Sequence, residues 1–176
     1  DIRMLFQSRL ASMAVRQPAD YFTEKQMKFL HEAAKTVYEM VMDGQTNEIG
    51  SVAVNEITYL MTERLVGNVT DEMIRERIME LESLFPDPKS EGERQCDSIL
   101  LEADQVLILS MCRLAENNPS MRDDLKKVLK LAIRRVIALP HRTFSEYVLC
   151  NDVYRSICPN LRYLEDRAEI VQSLLG

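Results

Sequence analysis

The chain has 176 residues, of which 46% are hydrophobic and 28% charged, and its net charge at neutral pH is -6. This composition argues against disorder over the whole length, and the negative charge opposes non-specific binding to nucleic acid. A chain of this length buries roughly two thirds of the surface that its unfolded form exposes. We therefore expect a single domain over residues 1–176. Because the chain begins at Asp1 and not at Met, we also expect it to be a piece of a longer protein.

Turn-forming residues are scarce, with 5 Gly and 6 Pro beside 10 Met, and this favours long helices over many short strands. The first predicted helix covers residues 2–16 and ends before Pro18. Its apolar residues recur every three or four positions, which is the period of one helical face. These residues are Ile2, Leu5, Phe6, Leu10, Met13 and Ala14.

The second helix has the clearest start signal in the chain. Thr23 and Gln26 form a capping box, so we expect the helix to cover residues 24–43. Gly44 follows, where a left-handed residue often ends a helix. A third helix is predicted over residues 48–66.

Gly67 ends the third helix, and Thr70 caps a fourth. The apolar residues expected to face the core from this fourth helix are Ile74, Ile78, Leu81 and Phe85. Residues 86–92, PDPKSEG, have two prolines and an otherwise polar composition. They are predicted to form a flexible loop within the single domain.

The most apolar stretch covers residues 96–115, and residues 105–115 carry one charge, Arg113. A helix that is apolar nearly all round must be surrounded by other parts of the protein, so we expect a central helix. The alternatives are a buried strand at VLILS and a membrane span, but the run is shorter than the ~20 residues that a bilayer needs. Glu102 and Asp104 lie on different faces, and we expect them to pair with Arg or Lys at the edge of the core.

Three further helices are predicted after the central one. Asn118 or Ser120 caps the sixth, which runs to about Leu139 before Pro140. The seventh follows a capping box at Thr143 and covers residues 144–158, and Asn160 caps the eighth. The predicted fold is therefore all-α, a compact bundle of about eight helices around a central apolar helix. The alternative is an α-solenoid fragment of paired helices, since roughly 44 residues per pair falls in the range of helical repeats.

Positive charge is concentrated in the predicted sixth helix and the residues after it. Seven Lys and Arg stand against two Asp in residues 122–142. The candidate partner-binding basic face consists of Lys127, Lys130, Arg134, Arg135 and Arg142. It could bind an acidic protein or RNA phosphates, or be an ordinary solvated helix face. The sequence has no RNA-binding fingerprint and no glycine-rich phosphate loop.

The sequence does not predict a catalytic residue, a cofactor site or a metal site. The four cysteines have no CxxC spacing, and there are only two histidines, so neither a zinc site nor a thioredoxin-type motif is supported. Reduced core thiols are preferred over disulfides. His141 with Cys150 or Cys158 is the only nucleophile and base close in sequence, and no family signature surrounds either cysteine. The methionines could line an adaptable partner groove, although core packing is preferred.

These observations favour a protein-protein interaction or self-association module of a larger assembly or scaffold protein, which is cytoplasmic or nuclear and not in a membrane. The partner would be another protein or a second copy, giving a homodimer. One alternative is a helical domain associated with RNA or another nucleic acid through the basic face around residues 122–142. A second alternative is an enzyme whose site lacks any sequence signature.

Overall fold

The computed structural model describes residues 2–44, 48–85 and 98–138, together with Arg155, Ala168 and Gln172. All regular structure in these residues is helical, which confirms the all-α prediction for them. The helices are α1 (Ile2–Ala11), α2 (Met13–Arg16), α3 (Glu24–Asp43), α4 (Ile49–Leu65), α5 (Asp71–Ser83), α6 (Ser98–Asn117) and α7 (Arg122–Ala138), with short 3-10 turns at Ala19–Tyr21 and Pro119–Met121.

Several predicted features lie largely or wholly outside the described residues. These are the loop at residues 86–92 and the two helices after Pro140. Arg155, Ala168 and Gln172 belong to those two predicted helices, and all three are helical.

The predicted start signals are confirmed at α3 and α5. The backbone N–H of Gln26 donates to Thr23 Oγ1 at 3.2 Å, and the N–H of Thr23 donates to Gln26 Oε1 at 2.9 Å, which completes the capping box. At α5, the N–H of Met73 donates to Thr70 Oγ1 at 3.3 Å. Both helices therefore begin at the predicted residue.

The first predicted helix is interrupted at Ser12. Its hydroxyl donates to the carbonyl of Arg9 at 2.6 Å, and α2 begins at the next residue. Serine side chains compete in this way for backbone groups, which weakens helices internally. The single apolar face predicted here is also wrong, since Ile2 and Phe6 are exposed whereas Ala14 is buried.

The two glycines predicted to end helices behave differently. Gly67 has a φ of +80°, as expected for a left-handed residue that ends a helix. Gly44 has a φ of -70° and stays in the right-handed region, so its predicted left-handed conformation is wrong. Its N–H still donates to the carbonyl of Met40 at 3.2 Å, so α3 ends by continuing its own hydrogen-bond pattern.

Helix α6 supplies the largest share of the buried core. It packs against α2, α4, α5 and α7, and Leu107, Ile108 and Met111 have no exposed surface. The apolar run is helical, so the alternative of a buried strand is wrong. Glu102 is exposed, and Gln105, Val106 and Leu109 are partly exposed along the same side. Among the described residues, no helix is long and apolar enough to cross a membrane.

A glycine lets α4 approach α6 closely. A Cβ atom at buried Gly50 would lie 3.0 Å from Ile99 Cγ2 and 3.2 Å from the Ile99 carbonyl carbon. The sequence alone marks Gly50 as a residue that weakens the start of α4. In the structure, the absence of a side chain at Gly50 leaves room for the two helices to pack.

Candidate interaction surface

The five residues of the predicted basic face do not share one face. Lys127, Lys130 and Arg134 are exposed on the outer side of α7. Arg135 is 4% exposed and points into the core, so it cannot meet a partner, and its assignment to the surface is wrong. Arg142 lies outside the described residues. The structure therefore brings together three of the five as a surface, which we call the basic face of α7.

Arg135 is buried because two carboxylates from other helices receive its guanidinium. Its Nε donates to Asp104 Oδ2 at 2.7 Å, and its Nη2 donates to Asp104 Oδ1 at 2.8 Å and also to Glu82 Oε1. The Phe85 ring lies 5.0 Å from the guanidinium carbon. This triad confirms the expectation that Asp104 pairs with an Arg or Lys. It connects α5, α6 and α7 through charged hydrogen bonds in the interior.

The triad has one more negative group than positive groups. Burial raises the pKa of Glu82 to about 7, although the Arg135 charge opposes this shift. Burial likewise raises the pKa of Asp104. Burial disfavours the charge on Arg135, but the hydrogen bonds that it donates to Asp104 and the negative charges of the nearby carboxylates hold its pKa above the ordinary value. Glu82 Oε2 is buried with no hydrogen-bond partner. The site therefore favours a proton on Glu82 near neutral pH.

Two ion pairs link α5 to α7. Arg75 of α5 donates to Asp124 of α7 at 3.2 Å, and Glu82 of α5 accepts from Arg135 of α7. The earlier residue of α5 pairs with the earlier residue of α7, and the later with the later. The two helices therefore run in the same general direction.

The outer face of α5 is acidic, unlike that of α7. Glu72, Glu76 and Glu80 recur every four residues and are exposed, and we call them the acidic face of α5. Glu72 pairs with Arg75 at 2.5 Å and Glu80 with Arg77 at 3.1 Å, yet both glutamates remain more than half exposed. Acidic residues outnumber basic ones by five to two in α5, whereas basic outnumber acidic by six to two in α7.

A cleft with a volume of about 70 Å³ lies where α1, α2, α3, α4 and α6 meet. The partly exposed side of α6 lines it, together with polar side chains that are bonded locally. Ser12 Oγ donates to the Arg9 carbonyl at 2.6 Å, and Asn55 Nδ2 donates to the Ser51 carbonyl at 2.8 Å. A cavity of this size has room for ordered water.

An aromatic and acidic cluster joins α3 to α4. The Tyr38 and Tyr59 rings stack at 4.7 Å, and the His31 ring stacks on Tyr59 at 5.8 Å. His31 Nε2 lies 2.8 Å from Glu63 Oε1. A hydrogen bond to Glu63, with burial, raises the pKa of Tyr59 to about 12. Burial opposes the charge of Glu63, but hydrogen bonds from His31, Tyr59 and Asn68 hold its pKa below the ordinary value.

This cluster joins α3 to α4 through ring stacking and a hydrogen bond. A general base works best when its pKa lies near the operating pH, whereas the pKa values of Glu63 and Tyr59 are moved away from neutrality. In residues 2–44, 48–85 and 98–138, no group of three or more His, Cys, Asp or Glu could hold a metal ion.

The acidic face of α5 and the buried carboxylate of Glu82 are not predicted from the sequence. The acidic face of α5 had a visible signal, since Glu72, Glu76 and Glu80 keep a four-residue spacing. Buried Glu82 had a weaker one, because it lies four residues after Ile78 on the inner side of α5. Comparisons of the chain with protein-family models, with curated proteins and with solved structures each gave no match.

Proposed function

We propose that this chain is a protein-protein interaction module that self-associates, and that it places a larger protein in an assembly. The observation that carries this proposal is that one copy exposes two oppositely charged helix faces, an acidic one on α5 and a basic one on α7. Electrostatic complementarity steers two proteins together and fixes their register. Charged groups do this best on rigid elements, and the buried triad holds these two helices against the core.

The chain as a whole would be one compact bundle of about eight helices over residues 1–176, with α6 at its centre. Contacts of α6 with α2 and α4 as well as with α5 and α7 support this arrangement. In a solenoid, each helical pair contacts only its neighbours along the chain, and α2 is far from α6 in sequence. We expect such a module to belong to a cytoplasmic or nuclear protein.

Self-association is tested by light scattering over a range of protein concentrations at low salt. We expect the mean mass to rise from that of one chain, 20.4 kDa, toward twice that value. High salt should lower it, since exposed charges are screened within about 8 Å at physiological ionic strength. A mass that stays at one chain at every concentration would remove the self-association proposal.

The second candidate function is association with RNA or another nucleic acid through the basic face of α7. The observation that favours it is the row of exposed Lys127, Lys130 and Arg134 on one side of a helix. It is tested by measuring binding of labelled RNA as salt concentration changes, for the native chain and for a variant with all three residues changed to Glu. Phosphate contacts give a steep salt dependence that the variant should lose. The absence of binding at low salt would exclude this candidate.

A further inference from the structure

We infer that two copies of this chain dock through the outer side of α3, with their α3 helices antiparallel about a twofold axis level with Ala34. The inference rests on the proposed self-association and specifies where it occurs and with what symmetry. The charged faces of α5 and α7 take no part in this contact and remain available to other partners in an assembly. The outer side of α3 consists of exposed Lys25, Lys28, Phe29, Glu32, Lys35, Thr36, Glu39, Met40 and Asp43.

Exposed apolar side chains are concentrated on this part of the molecule. The described residues expose eight large apolar side chains, and six of them belong to α1, to α3 or to the 3-10 turn before α3. Helix α1 packs directly against α3. Apolar side chains gathered on one part of a surface indicate a protein-protein contact. These six are Ile2, Phe6, Tyr21, Phe29, Met40 and Met42.

The charges on the outer side of α3 complement one another when a second copy is antiparallel. The twofold axis sets each residue opposite the residue that lies equally far on the other side of Ala34. Lys25 lies nine residues before Ala34 and Asp43 nine residues after it, so each Lys25 meets Asp43 of the other copy. Lys28 lies six residues before Ala34 and Glu39 five after it. One residue is a shift of only 1.5 Å along a helix, so these two side chains also meet.

The apolar residues follow the same register. Phe29 lies five residues before Ala34 and Met40 six residues after it, so each Phe29 meets Met40 of the other copy. Phe29 is 57% exposed and Met40 is 46% exposed. Exposed charge pairs contribute little by themselves, and an interface also needs apolar contacts that exclude water. Two contacts between Phe29 and Met40 supply them. Nearest the axis, Glu32 meets Lys35.

The helical phase places both members of each pair on the same side of the contact. A twofold axis perpendicular to the helices requires this, because it reverses the direction along the helix and leaves the sideways position unchanged. Lys25 and Asp43 are eighteen residues apart, which is five full turns. The members of the Lys28 pair and of the Phe29 pair are eleven residues apart, which is about three turns. Both copies therefore use the same surface, as an isologous interface requires.

Lys28 already has a partner within one copy, but the pair is weak. Its Nζ lies 3.3 Å from Glu24 Oε1, and the two side chains are 68% and 85% exposed. Exposed pairs four residues apart on a helix contribute about 0.3 to 0.5 kcal/mol. Lys28 can therefore exchange Glu24 for Glu39 of the other copy at little cost.

The charge balance of α3 also favours a second copy as the partner. Each chain has a net charge of -6, so two copies repel each other overall. Helix α3 carries three Lys against four Asp and Glu, and its contact with itself is nearly neutral. A partner surface of one sign would leave half of these charges opposed. A reversed copy of α3 offers the opposite sign at each charged position.

The inference is tested with two charge-reversed variants of the chain. The lysine variant carries Lys25→Glu and Lys28→Glu, and the carboxylate variant carries Glu39→Lys and Asp43→Lys. All four residues are exposed, and the changes at both ends of α3 agree with the helix dipole. Circular dichroism should therefore show native helix content in both variants. Analytical ultracentrifugation then measures the dimer dissociation constant of the native chain, of each variant and of their equimolar mixture.

We expect each variant alone to weaken dimerisation at least tenfold, because like charges then meet in both halves of the contact. The mixture should recover a dimer with one copy of each variant, since a negative α3 then meets a positive one. A chain carrying all four changes should dimerise with itself again. As a matched control, Lys127→Glu with Arg134→Glu reverses two positive charges on α7 and should leave the dissociation constant unchanged.

The outcomes separate this inference from the proposal on which it rests. A native dimer that survives both variants would show that the copies meet elsewhere, which overturns the α3 contact and leaves self-association standing. Two monomeric variants that fail to combine would also overturn it, because the charges would not lie opposite each other. An equal loss in the α7 control would assign the effect to net charge or to α7, and a native chain that is monomeric throughout would end both proposals.

Discussion

Two neighbouring arginines on α7 meet opposite environments. Arg134 is exposed on the outer side of the helix, whereas Arg135 is 4% exposed and bonded to Asp104 and Glu82. One residue turns a helix by about 100°, and this rotation moves a guanidinium from water into the core. The residue type therefore does not decide whether a basic group can bind a partner. Whether the basic group is available depends on the side of the helix on which it lies and on whether a buried carboxylate lies close to it on the inner side.

The same contrast orders the expected effects of substitution. A buried charge with partners can be retained in a core, whereas a buried charge without them is expelled or unfolds the chain. An exposed charge affects association and has little effect on folding. Substitutions of buried groups should therefore affect folding strongly, and substitutions of exposed charges should affect it little.

The largest effect is expected from Leu107→Asp. Leu107 has no exposed surface and lies three residues from Asp104 on α6. The new carboxylate would lack the guanidinium that Asp104 has, so we expect the chain not to fold. Far-UV circular dichroism should show the loss of helix, and the volume-conserving control Leu107→Met should keep it. A soluble and fully helical Leu107→Asp chain would contradict the buried position of α6.

Arg135→Met and Arg134→Met compare the two arginines directly. The first leaves Asp104 and Glu82 buried without a cation, and we expect a loss of about 3 to 5 kcal/mol in the free energy of unfolding. The second removes an exposed charge and should change it by less than about 0.5 kcal/mol. Urea unfolding of both variants provides the measurement. Similar losses in the two would mean that the triad does not hold α7 in place.

The sequence predicts local features of this fold well. The start of α3 is predicted to the residue because a capping box involves only Thr23 and Gln26, which are three positions apart. The core residues of α5 are also predicted correctly, since Ile74, Ile78 and Leu81 follow the helical period and are fully buried. In both cases, the forces that fix the structure act between residues within one helix.

The candidate surface is predicted only in part, for a physical reason. Position 135 lies seven residues after Val128, which is about two helical turns, so its inward phase can be read from the sequence. Its carboxylate partners, Glu82 and Asp104, are 53 and 31 residues away. No local rule gives such a pairing, because it depends on how three helices pack. Arg135 is therefore grouped with exposed cations until the tertiary structure is known.

The triad has two carboxyl groups and one guanidinium, and the pH dependence of stability tests whether Glu82 holds a proton in the folded chain. Glu82 has a pKa near 7 in the folded chain against 4.5 in an unfolded one. The folded form holds this proton more tightly, so the stabilising contribution is complete below about pH 4.5 and is lost as the pH rises to about 7. We expect this loss to be on the order of 2 to 3 kcal/mol.

Glu82→Gln isolates this effect, because Asp104, Arg135 and Lys127, the charged groups that act on Glu82, remain. The variant and the native chain should have similar stability at pH 5. The variant should become the more stable of the two as the pH approaches 8, by the amount that the native chain loses. Chemical denaturation at several pH values measures the difference, and a constant difference across this range would argue against a proton on Glu82.

A smaller effect than at Glu82 is expected at Glu63, a carboxylate between α3 and α4 whose pKa is shifted in the opposite direction. Hydrogen bonds from His31, Tyr59 and Asn68 outweigh burial and hold its pKa below 4.5. Its contribution to stability is therefore present above about pH 4.5 and is lost as the pH falls through the folded pKa. Glu63→Gln should cost about 1 kcal/mol at pH 7, the usual value of a hydrogen bond, and less at lower pH. The two glutamine variants should thus diverge from the native chain in opposite directions as pH rises, because Glu63 has enough donors for its charge and Glu82 does not.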